Sequence, residues 1–142
     1  MGQTLFLTTL LVKDYDEAIQ FYAEKLGFEL RLDNQLTSKK RWVVMAPAGG
    51  GLSCILLAKA DTAQQTAAIG NQTGGRVFLF LDTDNVERDY SIYVERGVKF
   101  VEPPRVEDYG TVAVFVDLYG NKWDLIEHGK MRSGMTPSIR LS

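Results

Sequence analysis

The sequence predicts an α+β fold in which two βαβββ modules form a curved, half-open, eight-stranded mixed barrel with helices on its convex side. Three observations predict it: apolar runs of strand length, two amphipathic segments each preceded by a capping residue and closed by a glycine, and the return of that order about seventy residues later. Few residues are identical at that offset. The shared cap, stop and turn positions carry the repeat, because each has a mechanical reason to recur.

Residues 5–12 have strand composition and run into Asp14, which can cap a helix, with Glu17 three residues on in a capping-box arrangement. Ala18, Phe21, Tyr22 and Leu26 then recur at helical spacing and Gly27 supplies the left-handed stop, so a helix is expected over 15–26. Short strands follow at 28–32, 41–46 and 53–58, separated by the polar stretch 35–40 and by Pro47-Ala48-Gly49-Gly50-Gly51. The second module repeats this with a strand at 77–81 and a cap at Asp84 with Glu87. Val86, Tyr90, Tyr93 and Val94 form its helix stripe, Gly97 is its stop, and strands lie at 99–102, 111–116 and 122–127. The modules are therefore placed at 5–58 and 75–128, joined by a linker at 59–74 with room for a short helix and followed by a polar tail at 129–142. A helix covers one face of a four-stranded sheet, so the other face needs a partner. Packing two such sheets edge to edge would give the half-open barrel, with a cavity on its concave side.

Composition narrows function. With 142 residues, 45% of them hydrophobic, a single domain can bury a core. A net charge of −2 gives no footprint for nucleic acid, and the one basic cluster, Lys39-Lys40-Arg41, is too short to make one. A lone cysteine, Cys54, fits a reducing compartment, so the expected location is cytoplasmic. The apolar run 5–12 is too short to span a membrane and has the wrong flanks for a signal peptide.

Val12-Lys13-Asp14-Tyr15-Asp16-Glu17-Ala18, Phe21-Tyr22 and Leu26-Gly27-Phe28, followed far downstream by the run Phe115-Val116-Asp117-Leu118-Tyr119-Gly120-Asn121-Lys122-Trp123-Asp124-Leu125, resemble the vicinal oxygen chelate superfamily. That group takes in glyoxalase I, bleomycin-resistance proteins, fosfomycin-resistance enzymes and extradiol dioxygenases. The resemblance covers residues 5–128 and implies the fold, while one fold hosts many chemistries. It also implies a divalent metal on the concave face, held by histidine and carboxylate side chains. Carried across position by position, those ligands fall on Leu7, Leu56, Arg76 and Asp124, of which only Asp124 can bind a metal. Catalytic metal sites normally have about three protein ligands, so the resemblance implies a member without the metal and no other cofactor. Arg76 and Asp124 would face each other there as a buried ion pair, the guanidinium replacing the cation. The alternative for Arg76 is a strand-start residue whose head reaches solvent.

Strand parity puts Phe78 and Phe80 on the side of Arg76, with Leu7 and Thr9 opposite them, Leu56 at a ligand position, and Trp42 and Tyr109 as candidates for the rim. An apolar, aromatic concavity with a few polar groups is what a small-molecule site looks like. His128 shares parity with Asp124, and a displaced metal site can be drawn from Asp124, His128 and Cys54; Cys54 otherwise reads as a small buried hydrophobe. The expected function is metal-free binding of a small organic molecule, similar to the bleomycin-resistance branch, in which two chains complete each other's barrels. The partners are then a ligand and a second copy, with neither nucleic acid nor membrane. The alternatives are a metal-dependent lyase, transferase or dioxygenase with relocated ligands, and a metal-free enzyme with Asp124 as general base and Arg76 as oxyanion stabiliser.

Overall fold

The computed structural model describes residues 1–129, so the polar tail expected from Gly129 onward lies, apart from that glycine, outside the described residues. The chain divides into two compact units, the first ending at Gln72 and the second beginning at Thr73.

In the first unit, β1 (Leu7–Val12), α1 (Tyr15–Gln20), β2 (Glu29–Gln35), β3 (Arg41–Ala46) and β4 (Cys54–Lys59) follow in chain order. The sheet order is β1-β4-β3-β2, with β1 parallel to β4 and the other pairs antiparallel. A strand that leaves by a helix returns as the parallel neighbour of the last strand, while hairpins make the rest. Leu10, Val12, Val43, Met45, Ile55 and Leu57 alternate onto one face and are buried there, as are Ala18 of α1 and Tyr22. Burial of each large side chain contributes about 1.5–3 kcal/mol. The Asp14 side chain accepts a bond from the Glu17 amide at 2.9 Å, which makes it the expected cap.

The expected helix 15–26 is corrected. It is α-helical only to Gln20 and then widens to a π-helical turn over Phe21–Lys25, closed by Leu26 N–H donating to the Phe21 carbonyl at 3.4 Å. A stripe of apolar spacing does not encode one extra residue per turn. Gly27, at φ 75°, then redirects the chain so that Phe28 N–H reaches the Tyr22 carbonyl at 2.9 Å. After β4 comes α2 (Ala63–Ala68), capped by Thr62. Beyond it the Gln72 side chain accepts from Leu11 N–H at 2.8 Å and donates to the Thr9 carbonyl at 3.0 Å, closing the free edge of β1 as a neighbouring strand would.

The second unit repeats the plan with β5 (Leu79–Asp82), α3 (Val86–Glu95), β6 (Lys99–Glu107), β7 (Gly110–Val116) and β8 (Lys122–His128), in sheet order β5-β8-β7-β6. Its helix-side core is aromatic. Phe115 stacks on Trp123 at 5.9 Å between ring centroids and meets Tyr93 edge-on at 5.4 Å, while Phe100 meets Tyr90 at 4.6 Å. The cap differs by one residue from expectation. Asn85, not Asp84, accepts the Arg88 amide at 2.9 Å, and Asp84 instead pairs with the Arg88 guanidinium at 2.6 Å. Both residue types cap well, so the capping rule alone cannot order two adjacent candidates. β6 runs five residues beyond the expected end at Glu102, crossing Pro103 and Pro104 with register shifts that absorb the missing donors.

The β7–β8 turn explains part of the long C-terminal motif. Asp117 and Asn121 are buried polar residues, and Asp117 accepts the Tyr119 amide, the Asn121 amide and the Asn121 side-chain amide, each at 2.9 Å. Gly110, at φ 144°, has no room for a side chain, because a Cβ there would lie 2.0 Å from the Glu127 carbonyl oxygen.

Candidate ligand-binding site

The register of the second sheet aligns Phe80 with Asp124, Asp124 with Val114, and Val114 with Glu102, so these four side chains form one row across all four strands. That row lies on the face away from α3 and forms the floor of a cavity of about 310 Å³. Arg76, Val101, Arg105 and Lys122 complete most of its wall. Phe80 is 57% exposed and Asp124 only 3%, so the cavity places an open aromatic face beside a buried carboxylate.

Three cations ring this cavity and differ in how they are engaged. Arg105 pairs with Glu107 at 2.7 Å and with Glu102, and the Glu107 and Glu102 carboxylates raise its pKa further above the usual arginine value. Lys122 donates from Nζ to the Gly75 carbonyl at 3.1 Å. For Arg76, only the carbonyl is engaged, accepting from Thr73 Oγ1 at 2.6 Å; among the described residues the guanidinium makes no ion pair or hydrogen bond.

The buried ion pair expected between Arg76 and Asp124 is therefore corrected: both line the cavity, but Arg76 is exposed and no ion pair joins them among the described residues. Gly74 at φ 70° and Gly75 at φ 104° hold the chain in a turn, and the ladder of β5 begins only at Leu79. Arg76 thus precedes the strand whose parity was used to place it.

In the first unit the corresponding row is Thr9, Leu56, Val44 and Leu32, and it carries no charge. Thr9, Leu56 and Trp42 line a cavity of about 250 Å³ together with Leu36 and Ala58. Leu7 and Phe78 are half-buried and lie outside the linings of these two cavities. Tyr109 sits in the β6–β7 turn, where its carbonyl accepts Gly129 N–H at 2.9 Å. His128 pairs through Nδ1 with Asp82 at 2.7 Å. The Cys54 thiol is half-buried and donates to the Leu52 carbonyl at 3.6 Å.

Aliphatic side chains at Leu7 and Leu56 and a guanidinium at Arg76 do not fit a divalent metal. Among the described residues no three of histidine, cysteine, aspartate and glutamate gather closely enough to hold one. Strand parity pointed to Phe80 and the family resemblance to Asp124, and both line the cavity of the second unit. Lys122 was equally legible, two residues before Asp124 on the same face, whereas Val101 and Arg105 were hidden by the register shifts around Pro103-Pro104.

The profile of the Glyoxalase/Bleomycin resistance protein/Dioxygenase superfamily matches residues 4–125. The chain belongs to that superfamily. An uncharacterized protein of Shewanella frigidimarina (strain NCIMB 400) is 54% identical over 128 residues, spanning 89% of this chain and 95% of that one. The superfamily's solved structures include UcmS2, with a TM-score of 0.78 and 31% identity, covering 89% of this chain and 99% of that one. TnmS3, an antibiotic binding protein from Streptomyces sp. CB03234, gives a TM-score of 0.75 and 30% identity, with 91% and 99% covered. Among the described residues no helix is long and apolar enough to cross a membrane.

Proposed function

We propose that this member of the superfamily binds a small organic molecule without a metal ion, in the cavity of the second unit, and performs no chemistry on it. One observation carries this reading: the row Phe80, Asp124, Val114 and Glu102 supplies an aromatic and aliphatic floor with a buried carboxylate at its centre, where the resemblance places a metal ligand. Aromatic surface provides contact area, and a few fixed polar groups orient the ligand. The description of TnmS3 as an antibiotic binding protein supports the same class of activity.

Among the described residues Arg76 is the wall cation whose side chain makes no ion pair or hydrogen bond, so the ligand carries an anionic or oxygen-rich part that this guanidinium meets. The protein acts in the manner of bleomycin-resistance binders, as a cytoplasmic homodimer that sequesters its ligand. The test is calorimetric titration with a series of aromatic carboxylates, each matched with its neutral alcohol. Arg76→Ala is expected to weaken the carboxylates by about tenfold and leave the alcohols unchanged. Equal affinities for both series, in the protein and in the variant, would remove Arg76 from recognition.

A further inference from the structure

We propose that Thr73 and Lys122 form a clamp that fixes where Arg76 stands, so that recognition of the ligand's anionic part depends on a hydroxyl outside the cavity. The inference rests on the reading above, in which that part meets the Arg76 guanidinium. Arg76 and Lys122 line the cavity of the second unit and Thr73 does not. Thr73 is therefore a positioning residue that acts through Arg76.

Arg76 needs positioning because of where the sequence puts it. Gly74 and Gly75 precede it, both at positive φ with open space where a Cβ would stand, and the ladder of β5 begins only at Leu79. Glycine has the widest choice of backbone conformation, so a residue that follows two of them is loosely directed unless something else holds the chain. Arg76 is exposed and its side chain is long. A ligand that had to order both chain and side chain on arrival would bind more weakly for it.

Three hydrogen bonds supply the hold. Thr73 Oγ1 donates to the Arg76 carbonyl at 2.6 Å and closes the turn across both glycines. Lys122 Nζ donates to the Gly75 carbonyl at 3.1 Å, and the Lys122 carbonyl accepts Phe78 N–H at 2.8 Å. One residue of β8 thus grips the chain on either side of Arg76. The wall cations have different tasks. Arg105 is engaged by Glu102 and Glu107, and Lys122 by the backbone next to Arg76, while the Arg76 guanidinium makes no ion pair or hydrogen bond among the described residues. Lys122 also adds positive charge to the wall. Thr73 is neutral, so removing its hydroxyl leaves the charge and the lining of the cavity as they are.

The test is calorimetric titration with 2-naphthoate and its neutral counterpart 2-naphthylmethanol. Thr73→Val, which keeps the shape of the side chain and removes the hydroxyl, is expected to weaken 2-naphthoate about threefold and leave the alcohol unchanged. Thr73→Ser should restore the naphthoate affinity. Combined with Arg76→Ala, Thr73→Val should have no further effect, and Lys122→Met should lose part of the effect that it has alone. The clamp is overturned if Arg76→Ala weakens 2-naphthoate while Thr73→Val binds it normally, if Thr73→Val weakens both probes alike, or if either substitution acts in full with Arg76→Ala in place. Arg76→Ala without effect on 2-naphthoate would overturn the reading on which the clamp rests, and the clamp with it.

Discussion

Arg41 holds two carboxylates at once, and its bidentate grip on Asp33 is the strongest electrostatic arrangement in the first unit. The guanidinium holds the Asp33 carboxyl below its ordinary pKa, chiefly through the hydrogen bonds, and Asp33 in turn raises that of Arg41. A carboxylate whose folded pKa is lowered adds stability above its unfolded pKa, and that contribution is lost as pH falls through the folded value. Asp33→Asn is therefore expected to lower the urea midpoint slightly at neutral pH. The difference from the unsubstituted protein should fade as pH falls through and below about 3.9. A difference that grew with acidity would contradict this. Neither partner was legible as such: Asp16 and Asp33 lie 25 and 8 residues from Arg41, and no local pattern joins them. Asp124 was legible through the turn motif that carries the family resemblance, and Phe80 through the strand's period of two. The ion pair expected between Arg76 and Asp124 was not legible, because Arg76 follows a glycine turn and precedes the strand, where a period of two does not set a side chain's direction.

At the scale of elements, sequence signals succeeded where one local interaction decides the structure. Asp14 as a cap, Gly27 and Gly97 as stops and the strand Arg41–Ala46 all follow from such interactions. They failed where a choice depended on register or on a widened helical turn, as at Asn85, over Phe21–Lys25 and beyond Glu102. The β7–β8 turn shows that a motif can be structural without being catalytic. Asp117 satisfies three buried or half-buried donors, so Asp117→Ala leaves them without their acceptor. The expected cost is roughly 2–4 kcal/mol in chemical denaturation, with ligand affinity unchanged in the folded fraction. A loss of affinity without a loss of stability would make the turn part of the site.

For the whole molecule, the repeat gives two sheets of the same strand order, and they have diverged in what they display. At the repeat-related centre of each row the first unit has Leu56 and the second has Asp124, so the first display is apolar and the second carries charge. That asymmetry underlies the metal-free binding proposed above. If the protein works as a homodimer, sedimentation equilibrium should return twice the 15.9 kDa chain mass; a single-chain mass at working concentrations would remove the second copy from the account. The most direct test of metal-free binding is to titrate the tightest aromatic carboxylate of the series into protein first stripped with a chelator, and then into protein reloaded with nickel, zinc, manganese or ferrous iron. The account predicts the same affinity in every preparation and less than a trace of metal retained after desalting. Binding that vanishes on chelation and returns with about one equivalent of a metal would contradict it.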